Sequence, residues 1–148
     1  MDHLEGLKRG IDRLIILVCD EIDDLSAVEG IRKSYENQLS GADITIMPFF
    51  GSALAILEDR HGCESQAIFY ALRESADCQS FALAIVHHEG CSYGCSPEKC
   101  GDAEDYFRAI ALRDRAPELL LAELESLRWI SVYNLETGGK IRFLGRYF

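Results

Sequence analysis

The run Leu14-Ile15-Ile16-Leu17-Val18, entered from Arg13 and left through Cys19-Asp20-Glu21-Ile22-Asp23-Asp24, constrains the fold more than any other stretch. It is too short for a buried helix and shows no alternation of polar and apolar residues. It therefore reads as a strand covered on both faces, the condition of a parallel sheet flanked by helices. Leu25, Val28, Ile31, Tyr35 and Leu39 follow at spacings of three and four, the period of an amphipathic helix. Asp23 and Asp24 stand where a helix N-terminus favours negative charge or a side-chain cap.

The alternation continues along the chain. "ADITIMPFF" (42–50) predicts a second strand stopped near Pro48, and "SALAILEDR" (52–60) a short helix or turn. Residues 64–76, with Ala67, Ile68, Ala71 and Leu72 on one face, predict another helix, and "SFALAIVHH" (80–88) a third buried strand. Two helical segments are expected between Ala103 and Arg128, with Pro117 in the first turn of the second and Leu119, Leu120, Leu124 and Leu127 packing into the core. "WISVYNLETGGKIRFLG" (129–145) predicts two strands around a Gly138-Gly139 turn. Strands separated by helices imply right-handed crossovers. The expected fold is α/β: a single doubly wound domain over residues 1–148, with a mostly parallel central sheet of core order 2-1-3 and a C-terminal hairpin.

Composition bounds the function. The chain has 148 residues, enough for one domain with a real core. Its net charge of −10 comes from 25 acidic against 15 basic residues, and a surface of that sign repels phosphate backbones, so no nucleic-acid partner is expected. No apolar run approaches the roughly 18 residues of a membrane span, and "MDHLEGLKRG" lacks the apolar segment of a signal peptide. The expectation is a cytoplasmic protein with no membrane partner. Six cysteines in a reducing compartment point to free thiols or metal ligands before disulfides.

In the order 2-1-3, strands one and three lie side by side, and the crevice beyond their carboxyl ends is where doubly wound folds bind ligands. Cys19 ends the first of these strands and the His87-His88-Glu89-Gly90-Cys91 cluster ends the other. His88 and Cys91, two residues apart around a glycine, can reach one ion, and Cys19 supplies a second thiolate. Cys and His donors in this number suit tetrahedral zinc, with a carboxylate or a water as the fourth ligand. Plainer roles exist for the surrounding residues. Cys19 alone could be a small buried hydrophobe, Asp23 and Asp24 helix caps, His87 a packing neighbour and His61 a loop residue. Cys91, Cys95 and Cys100 lack zinc-knuckle spacing, which leaves Cys95 and Cys100 as a disulfide, free thiols or a separate metal site. Cys63 and Cys78 are the simplest to read as ordinary thiols.

These residues carry a resemblance to the β-class carbonic anhydrases, whose zinc is held by the cysteine of a Cys-x-Asp-x-Arg motif and by a later His-x-x-Cys. "ADITIMPFFGSALAI", "SQAIFYALRESADCQSFALAIVHHEGCSYG" and "SVYNLETGGKIRFLG" resemble, in order, the family's second strand and glycine loop, its helix-strand-metal loop and its closing hairpin. The resemblance implies Zn²⁺ on Cys19, His88 and Cys91, Glu21 in the place of the catalytic carboxylate, and a substrate pocket at Phe49, Phe50 and Gly51. It also implies CO₂ or a related small electrophile as substrate, and a homodimer or larger homo-oligomer.

The chain departs from the family where the chemistry is decided. The motif here reads Cys19-Asp20-Glu21-Ile22-Asp23: the aspartate is lengthened to Glu21, and an acid replaces the arginine that, in the family, holds the aspartate off the metal. The polar loop after strand two has become Pro48-Phe49-Phe50-Gly51-Ser52. Two thiolates and nearby acids oppose the ionisation of a metal-activated water. Two outcomes follow: a zinc lyase of carbonic-anhydrase type, or a metal-binding structural or regulatory module in which Glu21 closes the site.

Overall fold

A computed structural model of the chain describes residues 11–148 apart from 24, 40, 59–61, 78, 92 and 94–101, with only the backbone of 102–104. Among the described residues there are five strands and five helices. In chain order these are β1 (Arg13–Val18), α1 (Ser26–Gln38), β2 (Asp43–Pro48), α2 (Leu54–Glu58), α3 (Cys63–Ala76), β3 (Phe81–His88), α4 (Asp102–Asp114), α5 (Ala116–Glu123), β4 (Leu127–Leu135) and β5 (Ile141–Tyr147). The sheet order is β2-β1-β3-β4-β5. The first four strands run parallel and β5 pairs antiparallel with β4. The fold is thus α/β with a mostly parallel mixed sheet. The predicted order 2-1-3 is one side of that sheet, and the C-terminal hairpin is not an appendage, because β4 extends the parallel array beside β3.

Strand alternation explains why β1 and β3 had to be apolar throughout. Ile15 and Leu17 of β1 with Leu83 and Ile85 of β3 face a cluster roofed by α2 to α5, while Leu14, Ile16, Ala82, Ala84 and Val86 face the other side, beneath Val28, Ile31 and Tyr35 of α1. Each of these strand residues is fully buried. Since the helix after β1 lies on one face and those after β3 on the other, the two strands part company at their carboxyl ends, which opens a crevice there.

Several local expectations shift. Leu25 is 40% exposed and serves as the backbone cap of α1, without a side-chain cap; Asp23 stands before it, exposed. The buried face of α3 comprises Ser65, Ile68, Phe69, Leu72 and Ala76, so Ala67 and Ala71 lie off the core stripe. Helix α5 ends at Glu123, where Leu124 turns extended (φ −116°, ψ 97°), and Leu127 and Arg128 belong to β4 instead of a helix. No glycine or proline marks that stop, so the leucine pattern runs through it. Truncating Ile85 to Ala in the middle of β3 should cost about 2–5 kcal/mol of stability, read by denaturant unfolding, since it empties a site closed from both neighbouring strands and from the helical layer.

Candidate metal centre

The site assembles at the carboxyl ends of β1 and β3. Cys19 follows β1 directly, and a turn in which the Ile22 N–H donates to the Cys19 carbonyl (3.2 Å) brings Glu21 back over it. The Cys19 sulfur lies 3.8 Å from Glu21 Oε1 and 3.8 Å from the sulfur of Cys91. Across the crevice, His88 Nε2 is 3.8 Å from the same Glu21 oxygen. The donor atoms of Cys19, Glu21, His88 and Cys91 all fall within 4.8 Å of one another, and both sulfurs are buried.

Two details test whether a metal suits this set. Two sulfurs bound at about 2.3 Å to one tetrahedral ion stand about 3.8 Å apart, the separation found here. His88 Nδ1 lies 3.0 Å from the Glu89 carbonyl, which can only accept, so the ring proton sits on Nδ1 and the lone pair is left on Nε2. That Nε2 is buried and faces Glu21 Oε1 and the Cys19 sulfur without a well-formed hydrogen bond to either. A ligand-competent nitrogen turned toward two thiols and a carboxylate is what a metal site requires, and the cluster could hold a metal ion.

The charges are arranged to match. The contact between the two thiols sets them apart in acidity: the hydrogen bond from Cys91 pulls Cys19 below the usual thiol range, against burial and with help from His88 and the Glu21 and Gly51 backbone, while the same bond and burial push Cys91 up. Burial alone would depress His88, yet the adjacent Cys19 sulfur and Glu21 leave it raised. His87, on the opposite face of the strand, is held down to about 3 by burial, with His88 and Arg108 adding to the effect, and is therefore neutral.

A supporting layer fixes both sulfurs. Gly51 N–H donates to the Cys19 sulfur (3.3 Å) from a backbone at φ +80°, where a Cβ would meet the Tyr93 ring at 2.5 Å. Tyr93 in turn packs edge-on against Phe50, ring centroids 5.4 Å apart. Asp105 accepts the Gly90 N–H through both carboxylate oxygens (3.1 and 3.2 Å). Arg108, only 5% exposed, donates to the carbonyls of Cys91 (3.1 Å) and Tyr93 and forms a two-pronged ion pair with Glu58. Sequence reasoning missed Arg108, Asp105, Glu58 and Tyr93. Nothing in their spacing marks them, because they bind backbone groups or one another or pack rings, and none joins the donor cluster.

Of the residues singled out from sequence, Cys19, Glu21, His88 and Cys91 come together. Phe49 packs into the core on the α2 side, Phe50 is 39% exposed, and Gly51 acts through its N–H on Cys19. The opening beside His88 is a cavity of about 290 Å³ on the α1 side, lined by Asp23, Ser26, Glu89 and the Gly138-Gly139 turn, with none of Phe49, Phe50 or Gly51 in its wall. Cys63 is an exposed thiol at the start of α3. Asp24, His61, Cys78, Cys95 and Cys100 lie outside the described residues. Among the described residues no helix is long and apolar enough to cross a membrane. Compared with protein-family models, curated proteins and solved structures, the chain has no match, so the family resemblance rests on the motifs quoted above.

Gly51→Ala tests the supporting layer. A side chain in the left-handed region costs about 1–3 kcal/mol even without a clash, and here it also meets Tyr93. The variant should lose at least that much stability in denaturant unfolding, and should hold metal less tightly in a chelator competition.

Proposed function

We propose that the chain is a zinc protein built on a β-carbonic-anhydrase-like plan, with its site closed by its own carboxylate. The observation that carries this is the convergence of two thiols, a buried imidazole nitrogen and Glu21 within 4.8 Å of one another, with the sulfur spacing of a tetrahedral ion. Sulfur, nitrogen and oxygen donors together favour zinc over magnesium or calcium, which prefer oxygen alone. When bound with an open position, zinc acts as a Lewis acid that activates water toward an electrophile such as CO₂.

In this chain Glu21 would take the position such a water needs, and the acid at position 23 offers it no pull away from the donor cluster. Cys19 and Cys91 already match the charge of a divalent ion, so a bound Glu21 leaves the site net negative. Metal retention is therefore the resting role, and hydration of CO₂ is slow. A substrate approaching from the cavity beside His88 meets Asp23, Glu89 and Glu136 and, among the described residues, no lysine or arginine in its lining. That wall suits a small neutral molecule and repels anions.

Protein purified without chelator should contain about one zinc per chain, and Cys19→Ala or Cys91→Ala should abolish it. Metal-free wild type, or both variants at full zinc, would remove this reading. In cobalt-substituted protein, added azide should leave the visible spectrum of the wild type unchanged and alter that of Glu21→Ala, because only the variant has a vacant position. A wild type that binds azide would show the site to be open. The pair Glu21→Asp with Asp23→Arg should hydrate CO₂ faster than wild type in stopped flow, since it shortens the carboxylate and places a cation to draw it off.

A further inference from the structure

Arg108 is the one arginine, lysine or acidic residue among the buried side chains described, and burial of a guanidinium is costly unless its donors are used. They are used on two groups of partners. Nη1 and Nη2 donate to the carbonyls of Cys91 and Tyr93, in the loop that follows β3. Nε and Nη2 donate to the two oxygens of Glu58 at 3.0 and 3.1 Å, the forked geometry that makes an arginine–carboxylate pair directional.

The positions of those partners give the contacts a purpose. One helical turn before Arg108, Asp105 of the same helix holds the Gly90 N–H. Helix α4 thus grips the backbone on both sides of the Cys91 sulfur, by an N–H before it and by carbonyls at and after it. Glu58 ends α2, and α2 continues directly from the turn whose Gly51 N–H is bonded to the Cys19 sulfur. One ion pair therefore joins the support of one sulfur to the support of the other.

We infer that Arg108 is a positioning residue: with Glu58 it forms a brace between α4 and α2 that sets the distance between the Cys19 and Cys91 sulfurs, and so the fit of the metal. This rests on the zinc reading for its consequence, though the brace itself is a property of the metal-free chain. A hydrophobic side chain of similar length would fill the space without fixing either carbonyl. A lysine would reach the carbonyls but could not fork onto Glu58 at the same time.

The test uses the full chain as Arg108→Met, Arg108→Lys and Glu58→Gln, with two measurements. In a zinc competition against a chromophoric chelator, Arg108→Met should bind about 10- to 100-fold more weakly, the usual cost of losing an outer partner of a metal ligand. Arg108→Lys should recover part of the loss. In the metal-free protein, alkylation by N-ethylmaleimide followed site by site by mass spectrometry should show Cys91 reacting at least about tenfold faster than in wild type, with Cys19 no faster and the exposed Cys63 unchanged, because the loop alone has been released. General unfolding would speed Cys19 equally and would assign Arg108 a merely structural role, overturning the inference. Unchanged zinc affinity and unchanged Cys91 reactivity would overturn it as well. Should Arg108→Met not fold, Glu58→Gln decides, since it keeps an acceptor and loses the charge: a several-fold shift in the same two readouts is expected, and wild-type values refute the brace. If the wild type itself takes up no zinc, the metal reading fails and the Cys91 measurement alone judges the brace.

Discussion

The parallel register of β1 against β3, with Val18 opposite Val86, is the constraint on which the rest depends. It is locked by burial on both faces: a slip of one residue would turn every side chain of β1 to the opposite layer, where helix packing is already complete. With this register the residue after β1 is Cys19 and the last of β3 is His88, so both reach the same crevice. Because β1 hands over to a helix on one face and β3 to helices on the other, the crevice stays open between diverging connections. The donor cluster follows from sheet topology before any side-chain contact is considered.

This explains what could be seen in the sequence. The apolar runs 14–18 and 81–86 and the helical period of Val28, Ile31 and Tyr35 describe burial, and burial is what orders the sheet. Cys19, His88 and Cys91 stood out because metal donors are few in kind and sit at strand ends. Contacts made to backbone groups leave no such trace. Arg108 lies in a helix with other charged residues, and only its place in the fold shows that it binds the carbonyls of Cys91 and Tyr93. The start of β4 at Leu127 was hidden for a different reason: leucines serve a helix and a strand equally, and the boundary is set by the Leu124 backbone and by the pairing of Leu127 with Phe81.

Arg108 is not a substitute for the arginine that the Cys-x-Asp-x-Arg pattern would place at position 23. Its guanidinium faces the backbone of the Cys91 loop and is engaged by Glu58 and two carbonyls. It has no fork left for Glu21. Its positive charge acts on the thiolate loop from behind, whereas a cation at position 23 would act from the α1 side, where Asp23 now lines the cavity. The same residue type in two places would do opposite things: one holds a sulfur toward the centre, the other draws a carboxylate away from it.

The sulfur separation of 3.8 Å has a second meaning. A disulfide bond is about 2.05 Å long, so Cys19 and Cys91 stand in contact as two free thiols. A disulfide between them would withdraw both sulfurs as donors, so the pair can offer two thiolates to an ion only while it stays reduced.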